Sequence, residues 1–122
     1  MALGTTEQIV INAADPARLA RFWAVVLGGE VVDRPDGWSY IDGGWEPGPR
    51  PRLSFQPAPA AAAEPSRFHL DVRVDDIAAA TAEAVTSGAR AAGPVVTDAQ
   101  GSFQVLHDPE GNAFCLVMPA ND

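Results

Sequence analysis

The feature that most constrains this chain is that it repeats itself. Laid on itself at a shift of 61 residues, half of its 122, the sequence matches element on element. Gln8 falls on His69, Ile9 on Leu70, Asp15 on Asp76 and Ser54 on Cys115. Few letters coincide, so the repeat lies in pattern. Each half reads β-α-β-β-β. Such a unit covers one face of its sheet with a helix and leaves the other face needing a partner. Two units set side by side would enclose a cleft between their hollow faces, a common place for ligands. The expected architecture is therefore α+β: two βαβββ modules forming a curved mixed sheet around a cleft, with helices outside. At 122 residues this is one domain, 1–122. Module 1 spans about 6–57, a linker about 58–66 and module 2 about 67–119.

Local signals place the elements. "EQIVINA" (Glu7 to Ala13) is short, apolar and β-branched, a strand. Asp15-Pro16 follows, an N-cap with proline at the first helical position. Leu19, Phe22, Trp23, Val26 and Leu27 then recur at helical spacing, and Gly28-Gly29 stops the helix. Strands are expected at Glu30 to Arg34, Trp38 to Asp42 and Arg52 to Gln56, with a Gly/Pro-rich loop carrying Trp45 between the last two. "PAPAAAAEPS" (Pro57 to Ser66) is the linker. In the second half "FHLDVRV" alternates as a strand, and Asp75 or Asp76 caps a helix. Ile77, Ala80, Ala84 and Val85 form its stripe, and Gly88 ends it. A strand interrupted at Gly93-Pro94 precedes a hairpin turning through "DPEGN", where Asp108, Pro109 and Gly111 suit a type I turn.

Composition excludes some functions. The formal net charge is −8 and all eight basic residues are arginine, with no basic stripe, so nucleic acid is not an expected partner. No apolar run approaches the ~20 residues of a membrane span, so no membrane is expected. One cysteine, Cys115, rules out a disulfide within the chain. "MALGTTEQ" has neither a basic nor a long apolar segment, so no signal peptide is read, and the expected compartment is the cytoplasm.

Strand alternation assigns faces. If Ile9 and Ile11 meet the first helix, Gln8, Val10 and Asn12 face the cleft, with Ser54 and Gln56 beside them. If Leu70, Val72 and Val74 meet the second helix, His69, Asp71 and Arg73 face the cleft, with Ala113, Cys115 and Val117. Asp71 and Arg73 are candidates for pairing with each other, or for an acidic ligand held by the arginine. Trp38 and Tyr40 share a face and offer stacking surfaces. The substrate-binding candidates are Asn12, Trp38, Tyr40, Gln56, Asp71, Arg73 and Phe103. His69 is the candidate catalytic residue, as its ordinary pKa near ~6.5 suits proton transfer, although a histidine in a strand is more often structural. Cys115 reads most simply as a small core residue.

The segments "ADPARLARFWAVVLGG" (Ala14 to Gly29), "HLDVRVDD" (His69 to Asp76) and "HDPEGNAFCLV" (His107 to Val117) resemble the glyoxalase/bleomycin-resistance/dioxygenase proteins, the vicinal oxygen chelate superfamily. More narrowly they resemble its glyoxalase-like domain proteins. The resemblance covers nearly the whole chain. It implies a divalent metal site on the first and last strands of each module, which here are Gln8, Ser54, His69 and Cys115. The last-strand places carry glutamate in the metalloenzymes; here they carry Ser54 and Cys115. Hard ions prefer carboxylate oxygens, so this set implies no cofactor, while a divalent metal stays open. Two functions follow from the resemblance. One is a small-molecule-binding protein of sequestering or resistance type, without a complete carboxylate metal site. The other is a metal-dependent lyase, isomerase or dioxygenase using Gln8, His69 and Cys115. Modules of this architecture pair within one chain or between two, which leaves a homodimer open.

Overall fold

The computed structural model describes residues 8–43, 52–58 and 69–120. Trp45, Phe68 and most of the linker lie outside the described residues. The chain divides into two compact units, 1–61 and 62–122. The architecture is mixed α+β, with a helix and a sheet in each unit. No helix among the described residues is long and apolar enough to cross a membrane.

The first unit contains β1 (Gln8–Ala13), α1 (Pro16–Leu27), β2 (Glu30–Asp33), β3 (Ser39–Asp42) and β4 (Arg52–Pro57). Its sheet order is β1-β4-β3-β2. The β1–β4 pair is parallel because α1 intervenes as a crossover; the other pairs are antiparallel. The Asp15 carboxylate caps α1 by accepting from the Arg18 amide at 3.2 Å. Leu19, Ala20, Phe22 and Trp23 are buried against Ile41, Leu53 and Phe55. Phe22 and Trp23 meet edge to face at 5.5 Å, a favourable aromatic geometry. At Gly29 (φ 91°) an added Cβ would lie 2.8 Å from the Asp42 carbonyl oxygen, so glycine is required where α1 turns into β2.

The second unit contains β5 (Leu70–Arg73), α2 (Ile77–Thr86), β6 (Arg90–Ala91), β7 (Val96–Asp98), β8 (Gly101–His107) and β9 (Ala113–Pro119). Its sheet runs β5-β9-β8-β6, with β7 also paired to β8. The interrupted strand expected before the hairpin is thus two short strands, β6 and β7. Asp76, rather than Asp75, caps α2, accepting from the Ala79 amide at 3.0 Å. The β8–β9 turn has the expected bond from the Gly111 amide to the Asp108 carbonyl, 2.9 Å. The buried Asp108 carboxylate also accepts from the Glu110 and Asn112 amides, which locks the turn.

The repeat extends to strand register. Ile9↔Leu53, Val10↔Ser54 and Ile11↔Phe55 in the first unit become Leu70↔Phe114, Asp71↔Cys115 and Val72↔Leu116 in the second, each shifted by 61 residues. The helix caps Asp15 and Asp76 keep the same shift. The packing does not repeat. Trp23 falls on Ala84, and α2 buries only Ile77 and Ala84. Val85, expected on the stripe, is 46 % exposed. At 3.6 residues per turn it lies roughly 80° round from Ile77. Thr81 occupies the sheet-facing side instead, donating to Gln104 Oε1 at 2.8 Å.

Candidate functional site

Register fixes which side chains share the face away from each helix, because directly opposed residues point the same way. In the first unit Leu53 and Phe55 are buried toward α1, so Ser54 and its neighbours Val10 and Tyr40 occupy the other face. Ser54 is small, flanked on both sides and only 2 % exposed. Its hydroxyl donates to Gln8 Oε1 at 2.7 Å. Gln56 lies opposite Asn12 on this face. Arg52 stacks over the Tyr40 ring at 4.0 Å, and Arg34 lies 5.3 Å from the Trp38 ring centre. The first-unit candidates thus have uncharged side chains, and the two aromatic rings are each covered by an arginine.

The second unit differs at the matching place. Phe114 and Leu116 are buried toward α2, so Cys115 and Asp71, directly opposed, share the other face. His69 joins them: its Nε2 lies 3.1 Å from Asp71 Oδ1. Donor atoms of His69, Asp71 and Cys115 all fall within 4.8 Å of one another. Both acidic and basic members are exposed, while Cys115 is half-buried. Burial pushes the Cys115 thiol's pKa up, and the negative charge and hydrogen bond of Asp71 push it further the same way. The thiol is thus held protonated and is not an activated nucleophile. Among the described residues Asp71 pairs with His69, not with Arg73.

These three residues are among those lining an open hollow of about 410 Å³ on the second unit. Phe103 and Val117 supply its apolar wall, and Asp98 and Gln100 lie among its other lining residues. Of the expected substrate-binding residues, Asp71 and Phe103 line this hollow; Arg73 does not. Strand alternation missed Asp98, the last residue of the short β7, and Gln100, in the β7–β8 turn. That turn is set by the Gln100 amide donating to Asp98 Oδ1 at 2.8 Å. It is held against β9 by the Ala120 amide donating to the Gln100 carbonyl at 2.8 Å. The legible signal was Gly101, where a Cβ would come within 2.3 Å of the Met118 carbonyl oxygen, so the two strands approach too closely for a side chain.

A sequence model described as the glyoxalase-like domain matches residues 8–117. The chain belongs to the glyoxalase-like domain family. Solved structures share its fold. One is a glyoxalase/bleomycin resistance protein/dioxygenase family enzyme from Burkholderia phytofirmans PsJN, with TM-score 0.70, 20 % identity, and coverage of 91 % of this chain and 95 % of that one. Another is TnmS3, an antibiotic binding protein from Streptomyces sp. CB03234, with TM-score 0.69, 22 % identity, and coverage of 98 % and 99 %. A third is a bleomycin resistance determinant encoded on the transposon Tn5, with TM-score 0.61, 22 % identity, and coverage of 95 % and 100 %. No curated protein matches the chain significantly.

Glyoxalase-like proteins that carry a metal raise the question of fit for Gln8, Ser54, His69 and Cys115. In the first unit both donors are neutral and bonded to each other. In the second, the last-strand place offers sulfur where a hard ion wants carboxylate. The four positions do not suit a hard divalent ion.

Proposed function

We propose that this glyoxalase-like protein binds an apolar or aromatic small molecule, in the manner of a sequestering or resistance protein, without a hard metal ion held on the four family positions. The observation that carries the reading is the open hollow of about 410 Å³, a volume suited to a small molecule, lined by Phe103 and Val117 together with polar groups. The neutral Ser54–Gln8 pair, standing where a hard-ion site would need charge, supports it. So does the antibiotic-binding character of one protein sharing the fold. The single free cysteine fits action in a reducing cytoplasm.

The test is equilibrium binding of a panel of planar aromatic compounds, with and without chelator and added Mg²⁺ or Mn²⁺. A 1:1 complex that survives chelation, shows no turnover, and weakens about tenfold (about 1.4 kcal/mol) in Phe103→Ala is the expected result. Metal-dependent turnover, or affinity indifferent to Phe103, would overturn the reading.

A further inference from the structure

We infer that the hollow of the second unit takes its small molecule in cationic form, with an ammonium group of the ligand held between the Asp98 carboxylate and the Phe103 ring. This names the ligand class of the hollow already proposed as a binding site, and rests on that reading.

The first observation is the arrangement of the lining. On the open face of the sheet, Asp71 stands in the row of Cys115. Val117 pairs with Phe103 in the next row, and Pro119, Gly101 and Asp98 make the row after it. The apolar strip of Val117 and Phe103 therefore runs between two carboxylates, whose rows lie about 13 Å apart along β9. Asp98 is also the diagonal neighbour of Phe103, because Val96 is directly opposite Phe103 and Asp98 is two residues on. Diagonal neighbours are about 7–8 Å apart, within reach of an aromatic side chain.

The second is uncompensated charge. Two aspartates line the hollow and, among the described residues, no arginine does. Asp71 meets the His69 imidazole at 3.1 Å. Arg73 lies on the same strand, opposite Val117, but outside the lining. Among the described residues no arginine or histidine pairs with Asp98. Its Oδ1 accepts the Gln100 amide at 2.8 Å, which orients the carboxylate toward a fixed place and leaves it a second oxygen. A neutral ligand seated here would strip water from a carboxylate and return nothing, whereas a cation offsets that loss.

The third is a bare ring. In the first unit Arg52 lies 4.0 Å over the Tyr40 ring and Arg34 5.3 Å from the Trp38 ring centre. Among the described residues no such cation covers Phe103. A positive group within about 6 Å of a ring centre is attracted by the ring's quadrupole. The first unit supplies guanidinium groups of its own, and the second leaves that place to the ligand.

The test is equilibrium binding of three naphthalene probes that differ in the group carried on one methylene: naphthylmethylamine, cationic at neutral pH, naphthylmethanol and naphthylacetate. The amine should bind about tenfold tighter than the alcohol, from one exposed ion pair and one cation–π contact together, and the acid more weakly than either. Added salt should shrink the amine-to-alcohol ratio by screening. Asp98→Asn keeps an oxygen for the Gln100 amide and should lower that ratio about two- to fivefold. Phe103→Leu should lower it as well, since an aliphatic side chain has no quadrupole. Glu83→Gln removes the same charge from an exposed place on α2, outside the hollow, and should leave the ratio unchanged. Circular dichroism of each variant confirms folding. A ratio near one would overturn the inference while leaving aromatic binding in place. An equal fall in Asp98→Asn and Glu83→Gln would also overturn it, by assigning the preference to the chain's net charge of −8 as a whole. Failure of all three probes to bind would instead remove the small-molecule reading, and this inference with it.

Discussion

The two units share topology, helix caps and strand register, yet they have divided their labour. The first places two helix aromatics, Phe22 and Trp23, in its core, and on its open face it bonds Ser54 to Gln8 as a neutral pair. The second has Glu83 and Ala84 where the first has those aromatics, and on its open face it sets a carboxylate, an imidazole and a thiol together beside a hollow. A duplicated scaffold thus lets one copy hold the bulkier helix core while the other gathers titratable groups on its open face. The parallel β1–β4 and β5–β9 registers, shifted by 61 residues, are the frame on which both were varied.

The sharpest way to break this comparison is Trp23→Ala, which makes the two helices alike at that place. Trp23 is 2 % exposed. Its loss should cost about 3–5 kcal/mol in denaturant unfolding, by lost burial and the cavity left behind. A cost below about 1 kcal/mol would mean that the first unit is not the stability-bearing half.

A smaller effect tests the open faces. Ser54→Ala deletes a buried hydroxyl and its hydrogen bond to Gln8, and should cost about 1 kcal/mol. Asp71→Asn, at the exposed cluster of the second unit, should change stability by no more than about 0.5 kcal/mol. Equal costs in the two variants would erase the proposed division between structural and chemical faces.

The smallest effect sharpens the electrostatics of the first unit. Hydrogen bonds from Arg21 and then Ser39 hold the Asp33 pKa down to about 2, from an ordinary 3.8. A carboxyl group depressed on folding contributes stability that is present above its unfolded value and lost as pH falls from about 4 toward 2. Both partners of the Arg21–Asp33 pair are half-exposed, so solvent and salt screen the contribution. Asp33→Asn should slightly flatten the fall in thermal midpoint across that acid window, most visibly at low salt. An unchanged acid profile would show that the pair contributes nothing to folding.

Much of the fold was legible because its signals are local. Asp15-Pro16 and Asp76 announce helices through capping chemistry, and "DPEGN" announces a turn through the same carboxylate that accepts its amides. Val85 was misread because its spacing fits a helical stripe, while Thr81 is the residue that meets the sheet, through Gln104. At the site, alternation put His69, Asp71 and Cys115 on one face. It paired Asp71 with Arg73, or left the arginine for an acidic ligand, where the structure pairs Asp71 with His69.

The sequence by itself determined the order of elements, the caps and turns, and which residues alternate toward each helix, since those depend on neighbours a few positions apart. Only the tertiary structure decided that Asp71 stands opposite Cys115 and beside His69, and that the end of β7 and the turn after it contribute Asp98 and Gln100 to the hollow. The first depends on strand register across the long crossover from β5 to β9, and the second on a close approach of β8 to β9 that only Gly101 permits. Such distances are set by packing of the whole sheet, which no local pattern encodes.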